Sequence, residues 1–121
     1  DMAWHTIENR VETDISDFET AVAGKTELFP EIDGTNISAS FGHIFVGGYA
    51  AGYYGYKWAE VLDADAFSYF TEKGIFNKDM AASFRKNILE KGGTQKPSDL
   101  YRKFRGQEPS LEAFLKRSGL V

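Results

Sequence analysis

The sequence predicts a mainly α protein with a glycine- and tyrosine-rich loop and at most a short β element. Three observations lead there. Apolar residues recur at three- and four-residue spacing along most of the chain, capping residues and glycines punctuate those runs, and strand-like alternation is scarce. No internal repeat or low-complexity tract intervenes. With 121 residues, 42% hydrophobic and 15% aromatic, the chain has the size of one globular domain. Folding a chain of this length buries about two-thirds of its unfolded surface, enough for a core. Residues 1–121 therefore read as a single α-helical domain.

Residues 2–7 are apolar and aromatic and fit either a strand or the end of a helix. The opening Asp1-Met2-Ala3-Trp4-His5-Thr6, with no initiating methionine, reads as a truncated or processed chain. After Asp14, a helix-capping residue, Ile15, Phe18 and Val22 recur at helical spacing, and the pattern fades by residues 24–28. Pro30, Asp33-Gly34 and Asn36 then mark a loop.

Residues 38–56 are dominated by glycine and tyrosine. Glycines 47, 48, 52 and 55 weaken any regular element, which implies a backbone that bends, approaches a ligand closely or changes shape. A long helix is predicted over 51–73, ending at Gly74, with Tyr54, Trp58, Val61, Leu62 and Tyr69 on one broad apolar face. Asp65 falls in that stripe and needs a hydrogen-bond or charge partner if buried.

Asn77 caps a further predicted helix that buries Met80, Phe84, Ile88 and Leu89 and stops at Gly92-Gly93. Ser98 starts a short one carrying Leu100, Tyr101 and Phe104, which ends near Gly106. Pro109 and Ser110 open the last, with Leu111, Phe114 and Leu115 inward before Gly119.

Several function classes are disfavoured. No run approaches the roughly 20 apolar residues that span a bilayer, and no membrane partner is expected. The net charge is -4 and basic residues are interspersed with acidic ones, so nucleic acid is a poor partner; Arg102, Lys103 and Arg105 read as a solvated helix face. No nucleotide-binding pattern occurs among the glycines of 42–55. Cysteine is absent, which removes disulfides and thiolate chemistry. That fits a reducing compartment, and the expected location is the cytoplasm, with the periplasm as the alternative.

Only His5 and His43 could supply imidazole, and no His-Glu-x-x-His helix is present. Zinc bound by ligands within these residues is not expected. His5, beside Trp4, reads as structural. His43 lies in a glycine-bounded loop, where its ring can donate to a substrate carbonyl or a developing oxyanion, or simply fix the loop by a hydrogen bond. Tyr49, Tyr53 and Tyr56 are spaced i, i+4 and i+7 and line one face if the helix begins early. Their neutral phenols suit oxyanion stabilisation, and equally they are rings that fill a core with their hydroxyls at the surface.

The run Phe41-Gly42-His43-Ile44-Phe45-Val46-Gly47-Gly48-Tyr49-Ala50-Ala51-Gly52-Tyr53-Tyr54-Gly55-Tyr56, followed by Lys57-Trp58-Ala59-Glu60-Val61, closely resembles the C-terminal signature of the M3-type zinc metallopeptidases. This is the family of thimet oligopeptidase and the bacterial peptidyl-dipeptidases (dipeptidyl carboxypeptidases). Further similarity lies in Met2-Ala3-Trp4-His5-Thr6, Gly74-Ile75-Phe76-Asn77, Phe84-Arg85, Ile88-Leu89, Gly92-Gly93, Phe104-Arg105-Gly106 and Gly119-Leu120. The Gly-Gly-Tyr-Ala-Ala-Gly-Tyr-Tyr form looks more like the peptidyl-dipeptidase branch.

The resemblance implies the helical C-terminal portion of a thermolysin-like or neurolysin-like catalytic domain whose zinc ligands lie upstream. It implies His43 and Tyr56 as catalytic residues that hydrogen-bond the carbonyl and the transition state. Tyr49, Gly47, Gly48 and Tyr53 become substrate-binding residues, on a loop able to close over a short peptide. In the parent, zinc-activated water would attack the peptide with an upstream glutamate as base. The implied partners are the upstream part of the same peptidase and short peptide substrates. These residues alone are expected to be inactive and to self-associate through 49–56 or 2–7. The competing reading is a non-catalytic α-helical interaction module.

Overall fold

A computed structural model describes residues 1–121 and contains seven α-helices and no strand. The chain divides into two compact units, Asp1–Gly55 and Tyr56–Val121.

In the first unit, the stretch 2–7 contains a short helix, α1 (Met2–His5), with Thr6 and Ile7 beyond its end. Helix α2 (Ile15–Ala23) starts where Asp14 places it, the Asp14 side chain accepting from the Ser16 amide at 2.9 Å. Asn36 caps α3 (Ile37–Ser40) by accepting from the Ala39 amide at 3.0 Å. These helices are too short to be stable alone, and contacts distant in sequence hold them. Glu19 on α2 accepts from the amides of Ile37 and Ser38 at the start of α3. Desolvation pushes the Glu19 carboxyl up, but hydrogen bonds from the Ser38 side chain and from the Ser38 and Ile37 amides together hold it below the ordinary range. Trp4 Nε1 donates to Ser38 Oγ at 2.6 Å while its ring lies 4.2 Å from that of Phe18.

The second unit is organised around α4 (Gly55–Lys73). The helix ends before Gly74 as expected but starts later than residue 51, because the chain up to Tyr54 is in turns and Ala51 has φ +55°. A left-handed residue cannot be part of a right-handed helix. The expected apolar stripe is correspondingly shorter. Val61 is buried and Leu62 and Tyr69 are half-buried, whereas Tyr54 and Trp58 are exposed. Within this unit the Glu60 carbonyl accepts from Arg117 Nη2 at 3.1 Å.

Asn77 caps α5 (Lys78–Phe84), accepting from the amides of Asp79 and Met80. The next turn, Arg85–Leu89, is a π-helix, with the Glu90 amide bonded to the Arg85 carbonyl at 2.9 Å. Its wider turn rotates the side chains at its C-terminal end relative to an α-helix, so Leu89, expected inward, is 64% exposed. Helix α6 (Pro97–Arg105) closes on Gly106 at φ +81°, a left-handed C-cap that glycine adopts without strain. Its Leu100, Tyr101 and Phe104 are buried, as their spacing predicts. Phe70, Phe84 and Phe104 meet with ring centroids 5.1–6.0 Å apart. Helix α7 (Glu112–Arg117) ends the unit; Phe114 and Leu115 are half-buried, but Leu111 precedes the helix and is exposed.

Asp65 has the partners its position demands. It is 2% exposed, accepts from the Tyr101 hydroxyl at 2.5 Å, and lies 3.4 Å from Arg105 Nε. Burial, then the hydrogen bond and charge of Asp65, push the Tyr101 phenol well above its ordinary value near 10, with Arg105 opposing. Folding thus favours protonated Tyr101. Its contribution is intact below the unfolded value and is lost as pH rises from about 10 through the higher folded value. The melting temperature should therefore fall above about pH 10, and Tyr101→Phe should flatten that part of the profile. An identical alkaline slope in the variant would assign the loss to other groups.

Candidate functional site

The glycine–tyrosine segment is shaped from its ends inward. A 3-10 turn over Gly42–Ile44 buries the Ile44 side chain to 3% exposure, and the amides of Phe45 and Val46 return to the Gly42 carbonyl at 3.0 and 2.9 Å. Gly47 and Gly48 come next at φ +75° and +76°, a consecutive left-handed pair that turns the chain back. A Cβ on Gly47 would also sit 3.3 Å from the edge of the Tyr49 ring, so the bare backbone leaves room for that ring. The Gly52 amide then bonds to the Tyr49 carbonyl at 2.7 Å, and Gly55 to Gly52 at 3.0 Å.

These turns gather four rings. His43 stacks on Phe41 at 5.0 Å and lies 4.8 Å from Tyr49 and 5.7 Å from Tyr53. Phe41 and Tyr53 meet edge to face at 4.9 Å, and Tyr49 and Tyr53 are 6.4 Å apart. The structure thus unites His43, Tyr49 and Tyr53 with Gly47 and Gly48, though by turns rather than along a helix face. Tyr56, in the first turn of α4, opens the second unit and is 47% exposed. Of the three tyrosines spaced for one helix face, only Tyr56 is helical, since the segment before Gly55 is held in turns.

Two residues outside the segment shape it: Asp1, to which the sequence assigned no role, and His5, read there as structural. Asp1 Oδ1 accepts from the Ala51 amide and Oδ2 from the Tyr53 amide, each at 3.0 Å. His5 Nε2 lies 2.7 Å from the Ile44 carbonyl oxygen and 3.4 Å from Asp1 Oδ1. A carbonyl only accepts, so Nε2 carries the proton and donates. The i, i+4 spacing of Asp1 and His5 is a readable pairing signal, but their targets, 39 positions away for His5 and 50 and 52 for Asp1, are not.

No group of three or more His, Cys, Asp and Glu side chains is placed to hold a metal ion. What the segment offers is an imidazole and phenols on a glycine-turned backbone, a donor-bearing surface suited to carbonyl groups. The chain belongs to peptidase family M3, whose model matches residues 1–120. Peptidases of this family are generally zinc-dependent.

Among curated relatives, oligopeptidase A of Haemophilus influenzae is 44% identical over 117 residues, covering 97% of this chain and 17% of that protein. Oligopeptidase A of Escherichia coli is 58% identical over 81 residues, 67% of this chain and 12% of the relative. The dipeptidyl carboxypeptidase of Escherichia coli is 38% identical over 122 residues, 99% of this chain and 18% of the relative. The chain thus spans less than a fifth of the length of each.

Proposed function

We propose that these residues form the substrate-facing, transition-state-stabilising part of a zinc-dependent oligopeptidase that hydrolyses short peptides, acting with the upstream part of the same polypeptide. The observation that carries this reading is the convergence of His43, Tyr49 and Tyr53 on one glycine turn. We assign transition-state hydrogen bonding to the His43 ring in the first unit and, taken by itself in the second, to the Tyr56 hydroxyl. Tyr49, Tyr53 and the backbone at Gly47 and Gly48 contact the peptide beside His43.

The residues present do not fit a zinc site by themselves. His5 Nε2 is engaged with the Ile44 carbonyl, and no carboxylate cluster completes a ligand set around either histidine. The metal ligands are therefore assigned to the upstream part. No helix is long and apolar enough to cross a membrane. The cytoplasm is the location we favour.

Within this reading, identity to a protein named dipeptidyl carboxypeptidase supports release of C-terminal dipeptides, and the higher identities to proteins named oligopeptidase A support action on oligopeptides without that restriction. Peptides with free and amidated C-termini separate the two.

The test is cleavage of a quenched peptide, with zinc present, by residues 1–121 alone and by the full-length polypeptide. Activity only in the full-length form is expected. Activity in residues 1–121 alone would overturn the assignment of the metal ligands, and activity in neither would turn the reading toward a non-catalytic interaction module.

A further inference from the structure

The turn that carries Tyr53 contains a strained residue. Ala51 is the one non-glycine residue with positive φ, at +55°, a conformation that costs an L-residue on the order of 1–2 kcal/mol and persists only when its surroundings impose it. What imposes it here is a carboxylate from the far end of the unit. Asp1 directs one oxygen to the Ala51 amide and the other to the Tyr53 amide. Its side chain is only 14% exposed, so these charge-assisted bonds are partly shielded from water. One helical turn along, His5 holds the Ile44 carbonyl, directly after His43. Helix α1 thus grips the segment at both ends of the stretch that bears His43, Tyr49 and Tyr53.

We infer that Asp1 is a positioning residue for the substrate-facing segment: its carboxylate holds the Ala51–Gly52–Tyr53 turn in its strained form and so keeps Tyr53 and Tyr49 in register with His43. This inference rests on the reading of that segment as substrate-facing. Asp1 touches no substrate and acts through the two amides. Sequence spacing alone gives it no such role, because the donors it serves are 50 and 52 residues away. Loosening the turn misplaces binding groups, which raises KM. A mere folding defect instead lowers the active fraction, reducing apparent kcat with KM unchanged.

The test uses Asp1→Ala and the near-isosteric Asp1→Asn in the full-length polypeptide, read by amide hydrogen exchange and peptide kinetics. Asp1→Ala should speed exchange at both Ala51 and Tyr53 by at least about tenfold, as loss of charge-assisted bonds implies, while α2 and α4 keep their protection. It should lower kcat/KM by at least about tenfold, mainly through KM. Asp1→Asn, with a single acceptor oxygen, should expose one of the two amides and fall between. Unchanged exchange at Ala51 and Tyr53 in both variants would overturn the clamp. Faster exchange with unchanged kinetics, or a loss in kcat alone, would overturn its positioning role. Should the unmodified full-length polypeptide itself lack peptidase activity, the functional reading falls separately, and the exchange data still decide whether Asp1 holds the turn.

Discussion

Replacing Tyr56 by phenylalanine in the full-length polypeptide is expected to lower kcat by on the order of 10²–10³ with little change in KM. A donor aimed at charge that appears only in the transition state contributes little to binding the neutral substrate, so its removal falls on the chemical step. The change deletes one oxygen from a side chain that is 47% exposed in the first turn of α4. Surface substitutions of this kind usually alter stability by less than about 0.5 kcal/mol, so the folded fraction should stay near that of the parent. Steady-state kinetics alongside a thermal melt separates the two effects. Turnover close to that of the unmodified enzyme would remove Tyr56 from the machinery. A raised KM at constant kcat would reassign it to ordinary substrate binding.

The largest stability effect is expected at Asp65. Asp65→Ala should destabilise the chain by about 3–5 kcal/mol, the range for removing one partner of a buried charge pair. Three consequences coincide. The Tyr101 hydroxyl loses its acceptor in a site where Tyr101 is only 7% exposed. Arg105, with its side chain 11% exposed, keeps only the more exposed Glu72, 3.4 Å away, and its stacking over the Tyr69 ring at 4.5 Å. The missing carboxylate also leaves a void where α4 and α6 meet. Asp65→Asn, which fills the space and can still accept from Tyr101, should cost clearly less. Urea unfolding with both variants makes the comparison, and a loss below about 1 kcal/mol for Asp65→Ala would show that water or a neighbour replaces the carboxylate.

Most of the secondary structure was legible because its causes are local. Asp14, Asn77 and Gly106 stand at the helix ends they specify, and the spacing of Leu100, Tyr101 and Phe104 marks the face of α6 that is buried. Asp65 could be flagged as a buried charge requiring a partner from its place in the stripe alone. The signature run around His43 and Tyr49 pointed to the family, since a motif is a property of order in sequence.

What the sequence could not decide were the features fixed by distant contacts. Residues 51–54 fall inside the run predicted to be helical despite Gly52, yet the Asp1 carboxylate draws the Ala51 and Tyr53 amides into a turn, which delays α4 to Gly55 and takes Tyr49 and Tyr53 off a helix face. The π turn at Arg85–Leu89 likewise turns Leu89 outward from a position that simple periodicity places inward. His43 was identifiable from its neighbours in the chain. The ring cluster around it, and the two residues at the α1 end of the unit that brace it, exist only once hydrogen bonds spanning about forty to fifty residues have formed. Propensity and periodicity act over a few residues, so the sequence by itself determined the helical class, the family and the candidate residues. Tertiary hydrogen bonding decided the turn on which His43, Tyr49 and Tyr53 converge.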